Sequence, residues 1–174
     1  MKKFPITASL VMATIFLFAQ NSDNRFHKID GLLGSWDVFA ERRLSAAGQW
    51  DTSKATSILK KTTGDAVIEE DFVGTLRNKP FSSKTIVVFN HFTNKFQRAF
   101  IDSEHGVLVD YEGEKKADTI FFDKNWIYPN NTTVKLRVVY SIISDTEFLV
   151  ENMRMPENTL KWNVTDRMRY IKHK

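Results

Sequence analysis

The chain contains no cysteine. That absence rules out a lipid attached at a processed cysteine, a disulfide, a thiolate metal site and a cysteine nucleophile. Stability must then come from an apolar core, without covalent staples. Long apolar runs are missing too. The run Ala8 to Ala19 is interrupted by Ser9 and Thr14, and it falls short of the ~18 residues that a spanning helix requires. Charge of one sign is also lacking. Lys and Arg number 25 against 21 Asp and Glu, a net charge of +4. The basic residues occur as scattered pairs, Arg42-Arg43, Lys60-Lys61 and Lys115-Lys116. Nucleic-acid binding needs them gathered on one face, so no nucleic-acid partner is expected.

The N-terminus has the three-part pattern of a secretory signal. Lys2 and Lys3 precede the apolar run, and Leu17-Phe18-Ala19 ends it on a small residue. This predicts a signal peptide over residues 1–19, cleaved after Ala19, and one mature domain over 20–174. The expected location is periplasmic or secreted, with no stable membrane anchor after cleavage.

One helical stretch is expected in the mature chain, over Asn24–Leu33. Asn24 could cap it, and Phe26, Ile29, Leu32 and Leu33 recur at helical spacing. From Ser35 the apolar period becomes two. Trp36, Val38 and Ala40 alternate with Asp37, Phe39 and Glu41. Turn signals at Thr63-Gly64-Asp65, Asn78-Lys79-Pro80, Asn94, Glu104-His105-Gly106, Gly113–Lys116, Pro129-Asn130-Asn131 and Pro156-Glu157-Asn158 divide the rest into about ten short strands. The last is expected from Leu160 to about Ile171. No helix-length segment separates consecutive strands, which disfavours parallel crossovers. The fold class predicted is therefore all-β: an antiparallel up-and-down barrel of about ten strands, with a short N-terminal helix. A two-sheet sandwich is the chief structural rival. No internal repeat or linker divides the domain.

Particular residues also carry a family resemblance. Gly34-Ser35-Trp36 resembles the Gly-x-Trp that opens the first lipocalin strand, and Arg167, Arg169 and Tyr170 stand in the final strand. The stretch from Phe89 to Phe96, then Phe100-Ile101-Asp102-Ser103 and Gly106 through Gly113, is similar to an uncharacterised bacterial family of lipocalin-like (calycin) barrels. Asn90-His91-Phe92 stands where that family usually has an Asp. The resemblance implies a closed barrel with Trp36 plugging one end against Arg169 (or Arg167). It implies no settled activity.

The lumen is where function is expected, since a barrel of this size can hold one small ligand. If Trp36 points inward, alternation yields inner sets that include Glu70, Phe72, Arg98, Phe100, Asp102, Tyr111, Arg154 and Trp162. In the functional reading Arg98 and Arg154 hold an acidic head group, and Phe72, Phe100, Tyr111 and Trp162 line an apolar chamber. In the opposing reading the charges pair with one another or lie near the rims, and the lumen is packed solid.

Four histidines, His27, His91, His105 and His173, show no metal-ligand spacing. Neither a metal nor a cofactor is expected, although related ten-stranded barrels hold haem through one histidine. No serine sits in a nucleophile elbow, and no catalytic residue is assigned. The function expected is binding of a small apolar or amphipathic molecule. Two alternatives stay open. One is an enzyme using a buried lumen carboxylate, Glu70 or Asp102. The other is an interaction module presenting Phe39, Phe89 and Phe121 on its outer face.

Overall fold

A computed structural model describes residues 27–44, 48–63, 67–76, 78–157 and 159–174. The expected signal peptide, its cleavage point and the Asn24 cap lie outside the described residues. The chain divides into two units, Met1–Asp30 and Gly31–Lys174, and the strands belong to the second.

A 3-10 helix, His27–Leu32, stands where a short helix was expected and leads into the first strand. The strands are β1 (Gly34–Arg43), β2 (Trp50–Thr62), β3 (Val67–Leu76), β4 (Lys79–Asn90), β5 (Lys95–Asp102), β6 (Val109–Lys116), β7 (Thr119–Ile127), β8 (Thr133–Ser144), β9 (Glu147–Pro156) and β10 (Asn163–Lys172). Each pairs antiparallel with its neighbours in sequence, and β10 pairs with β1 to close the barrel. Closure removes both free edges and excludes the sandwich.

Tight turns between strands use residues that tolerate positive φ, such as Asn78 (φ 60°) and Asn94 (φ 57°). At the β4–β5 turn the Asn90 side-chain oxygen accepts the backbone N–H groups of Phe92 and Thr93, at 3.0 and 3.3 Å. An Asp would cap that turn in the same way, which accounts for Asn standing in its place.

Parity sets the inner face. Register aligns Trp36 with Ser57, Ser57 with Phe72, and Phe72 with Ser83. One end of the barrel is packed solid. Trp36 is 1% exposed, and its indole N–H donates to the Leu32 carbonyl at 2.9 Å. Phe148 meets the indole edge-on, centroids 4.7 Å apart, and stacks on Tyr170 at 4.1 Å. Phe122, Ile120, Phe96 and Phe89 are buried as well, Phe122 edge-on to Tyr140 at 5.7 Å. Gly113 makes room for Phe122, because a Cβ there would run into the Phe121 carbonyl and the Phe122 ring.

Arg169 does not take part in this closure. Trp36 is opposite Lys172, and Arg169 is opposite Phe39 on the outer wall, where it pairs with Glu147 at 2.8 Å. Arg167 is outside too, paired with Glu151 at 3.0 Å. From Asp166 onward the even-numbered residues of β10 face inward, so Tyr170 packs in the plug and the Lys172 ammonium stands 5.4 Å from the Trp36 ring.

The expected face running from Leu160 to Met168 is broken as well. β10 begins at Asn163, and a bulge between Val164 and Asp166 resets its register. Trp162 precedes the strand and lies 4.6 Å from the Arg137 guanidinium. Arg137 belongs to the outer wall, bound bidentate to Asp123 at 2.6 and 2.7 Å. Phe89, expected outside, is buried against Phe96 with centroids 5.0 Å apart. Phe39 is 43% exposed on the outer wall.

Candidate functional site

Beyond the plug the barrel opens into a cavity of about 450 Å³. Its walls combine apolar side chains, Phe72, Phe81, Phe100, Leu136, Val150 and Met168, with polar ones such as Ser83, Thr85 and Asn152. Glu70, Phe72, Arg98, Phe100, Asp102, Tyr111 and Arg154 all border it, so seven of the eight expected ligand-binding residues meet there. Trp162 does not, because the β10 bulge and the preceding loop carry it outside.

The floor is polar and buried. Glu70 is 5% exposed and Arg98 6%. The Glu70 Oε1 accepts two hydrogen bonds of 2.8 Å, from the Ser57 and Tyr170 hydroxyls. Arg98 Nε donates to the Tyr140 hydroxyl oxygen at 3.3 Å. Its guanidinium lies 4.9 Å from the Phe100 ring and 5.3 Å from Tyr111, a placement that favours a cation.

Burial works against the Arg98 charge, but the nearby Tyr140, Tyr111 and Glu70 outweigh it, and its pKa is raised. Burial also raises the Tyr111 and Tyr140 phenols above their ordinary 10.0. Tyr170 is raised well above 10.0, by burial first and by the Glu70 charge second. Tyr170 thus stays a neutral donor to Glu70.

A pH dependence follows, and its sign is fixed by the neutral form being favoured in the folded chain. The contribution is complete below the unfolded value near 10 and is lost as pH rises through the folded values. Phenolate absorbance from these three tyrosines should therefore rise together with loss of the near-UV circular dichroism. Ionisation of all three with the folded spectrum intact would contradict it.

The rim differs from the floor. Arg154 is exposed there and donates to the Tyr128 hydroxyl oxygen at 3.0 Å. It does not join Arg98 around one head group. Asp102 borders the cavity, but its Oδ1 accepts the backbone N–H groups of Glu104 and His105, at 3.0 and 2.7 Å. That carboxylate holds the β5–β6 turn, which weakens its case as a general acid–base. Arg42 spans the mouth, 2.9 Å from Asp166 and 3.3 Å from Glu104.

Among the described residues no three His, Cys, Asp or Glu side chains cluster as metal ligands. His173 pairs with Asp37 at 3.1 Å on the surface, and His91 meets the Phe89 ring edge-on at 5.2 Å. No described helix is long and apolar enough to cross a membrane.

Sequence reasoning missed Tyr140, Tyr170 and Ser57 as floor residues. Ser57 was visible on the alternating face with Ala55 and Leu59. Tyr140 was not, because Val138, Val139 and Tyr140 are buried in succession and show no alternation.

Comparison with known proteins adds a family and a fold. A family described as "Protein of unknown function (DUF1579)" matches residues 23–172. No curated protein matches the sequence. Among solved structures, an S-type phycobiliprotein lyase from Guillardia theta aligns at 11% identity and a TM-score of 0.56. The match covers 88% of this chain and 93% of that one. A redesigned β-barrel aligns at 17% identity and a TM-score of 0.45, covering 84% and 96%. At 11% identity the likeness to the lyase speaks to the fold alone, a lipocalin-like barrel.

Proposed function

The chain belongs to the DUF1579 family, and on that premise we propose that it is an exported protein binding one small amphipathic molecule in its barrel. The observation that carries this reading is the cavity itself. About 450 Å³ lies open at one end, with apolar patches along its walls and buried polar groups at the bottom. Ligand sites commonly have this form: a mostly apolar concavity of roughly 300–1,000 Å³ with a few converging polar groups. The plug at the other end supports a bound molecule entering by the mouth only.

Export rests on the N-terminal pattern. Its expected result is a mature protein that begins at Gln20 and is recovered outside the cytoplasm.

Ligand binding is tested by native mass spectrometry of protein purified from its own source. A small molecule should leave with the protein. Nile red, a neutral apolar dye, should bind saturably, and Arg98→Met should release the native molecule more readily. A lumen that yields no adduct and takes up no dye would end this reading.

A further inference from the structure

The strongest clue to the ligand is that the floor carries both charges and leaves part of each unused. Glu70 uses only Oε1 toward the protein, for both Ser57 and Tyr170. Arg98 uses only Nε, toward Tyr140. Among the described residues, no hydrogen bond or ion pair engages the second Glu70 oxygen or the two terminal Arg98 nitrogens, although the guanidinium lies against the Phe100 and Tyr111 rings. They are not among the sealed, unpartnered polar atoms either, so they face the cavity that both residues border. No ion pair joins Glu70 to Arg98 directly. They project from β3 and β5 with only β4 between them, and each charge is felt by the other's surroundings.

Such a floor offers donors on one side and an acceptor on the other, with no net charge between them. From this we infer that the ligand's head group is a neutral amide with a free N–H, as in a primary amide or a lactam. Its carbonyl would accept from the Arg98 guanidinium, and its N–H would donate to Glu70. A simple carboxylate satisfies Arg98 but sets a second negative charge beside Glu70. It also brings an uncompensated charge into a buried site, which is costly. An ester or a dialkylamide satisfies Arg98 but leaves the Glu70 acceptor unmet. A site built around a hydrogen bond discriminates strongly against analogues that lack the group. The tail would lie along Phe72, Phe81, Leu136 and Met168 toward the mouth. This inference deepens the lumen-binding reading and depends on it.

The test is displacement of Nile red from the full-length mature protein by four octanoyl compounds: octanamide, octanoate, N,N-dimethyloctanamide and methyl octanoate. At pH 8 octanamide should compete about tenfold better than each of the others, the worth of one buried hydrogen bond. Glu70→Gln keeps the shape and an acceptor oxygen but removes the negative charge. It should raise octanoate affinity and narrow the amide-to-acid ratio by about tenfold. Arg98→Met should weaken amide and acid alike.

Octanoate competing as well as octanamide in the unaltered protein would overturn the head-group inference and leave lumen binding standing. So would a ratio untouched by Glu70→Gln in a variant whose circular dichroism is native. Failure of Nile red to bind at all would overturn the lumen reading, and the inference with it.

Discussion

Trp36→Ala is expected to lower the unfolding free energy by about 3–5 kcal/mol, the usual cost of deleting a large buried aromatic. The indole is the largest of the fully buried side chains. Its removal leaves Phe148 without its edge-on partner. It also orphans the Leu32 carbonyl, which accepts the indole N–H. Nothing nearby can collapse into the gap easily, since Phe148 is held in its stack with Tyr170 and the barrel wall is closed by backbone hydrogen bonds all round. Urea unfolding monitored by circular dichroism measures the loss as a lower midpoint. Arg169→Ala is the matched control. The Arg169 side chain lies on the outer wall with Glu147, and exposed pairs of this kind contribute little, so its midpoint should stay where it was. If the arginine variant fell as far as the tryptophan variant, the plug described above would be wrong.

This contrast also shows where reading from sequence works in such a chain and where it stops. Alternation is a local rule, and it holds wherever a strand has one wet face and one dry face. Hence, with Trp36 taken to point inward, alternation offers Glu70, Phe72, Arg98 and Phe100 as inner-wall candidates, and the hairpin-length turns between strands imply closure. The rule fails in β8, where Val138, Val139 and Tyr140 are buried in succession. It fails again in β10, where one extra residue at the bulge shifts every side chain before it to the opposite wall. Trp162 is lost to that shift. Arg169 was misplaced for a different reason. A family likeness supplied an arginine near the tryptophan, but parity decides which residue of β10 faces in, and that residue pair is Tyr170 and Lys172. The hydrogen bonds of the floor were beyond reach for a third reason. Ser57, Glu70 and Tyr170 come from β2, β3 and β10, and only the closed register brings them to one point.

The floor itself supplies the second large effect. Glu70→Leu should destabilise the barrel by roughly 2–6 kcal/mol, because it strands the Ser57 and Tyr170 hydroxyls, each orphaned buried group costing about 1–3 kcal/mol. It also removes the negative charge nearest Arg98. Replacing the whole floor should behave quite differently. The combined variant Ser57→Ala, Glu70→Leu, Arg98→Met, Tyr140→Phe and Tyr170→Phe removes these bonded donors and acceptors together and strands none of their partners. Apolar replacement of a complete buried polar cluster is often neutral or stabilising, so this variant should recover most of the loss. Chemical denaturation of the single and combined variants provides the comparison. Recovery of stability together with loss of octanamide competition would mean that the polar floor is retained for what it binds, since the barrel stands without it. A combined variant as unstable as Glu70→Leu alone would mean that the cluster holds the fold together. The unused Glu70 oxygen and Arg98 nitrogens would then need no ligand to explain them.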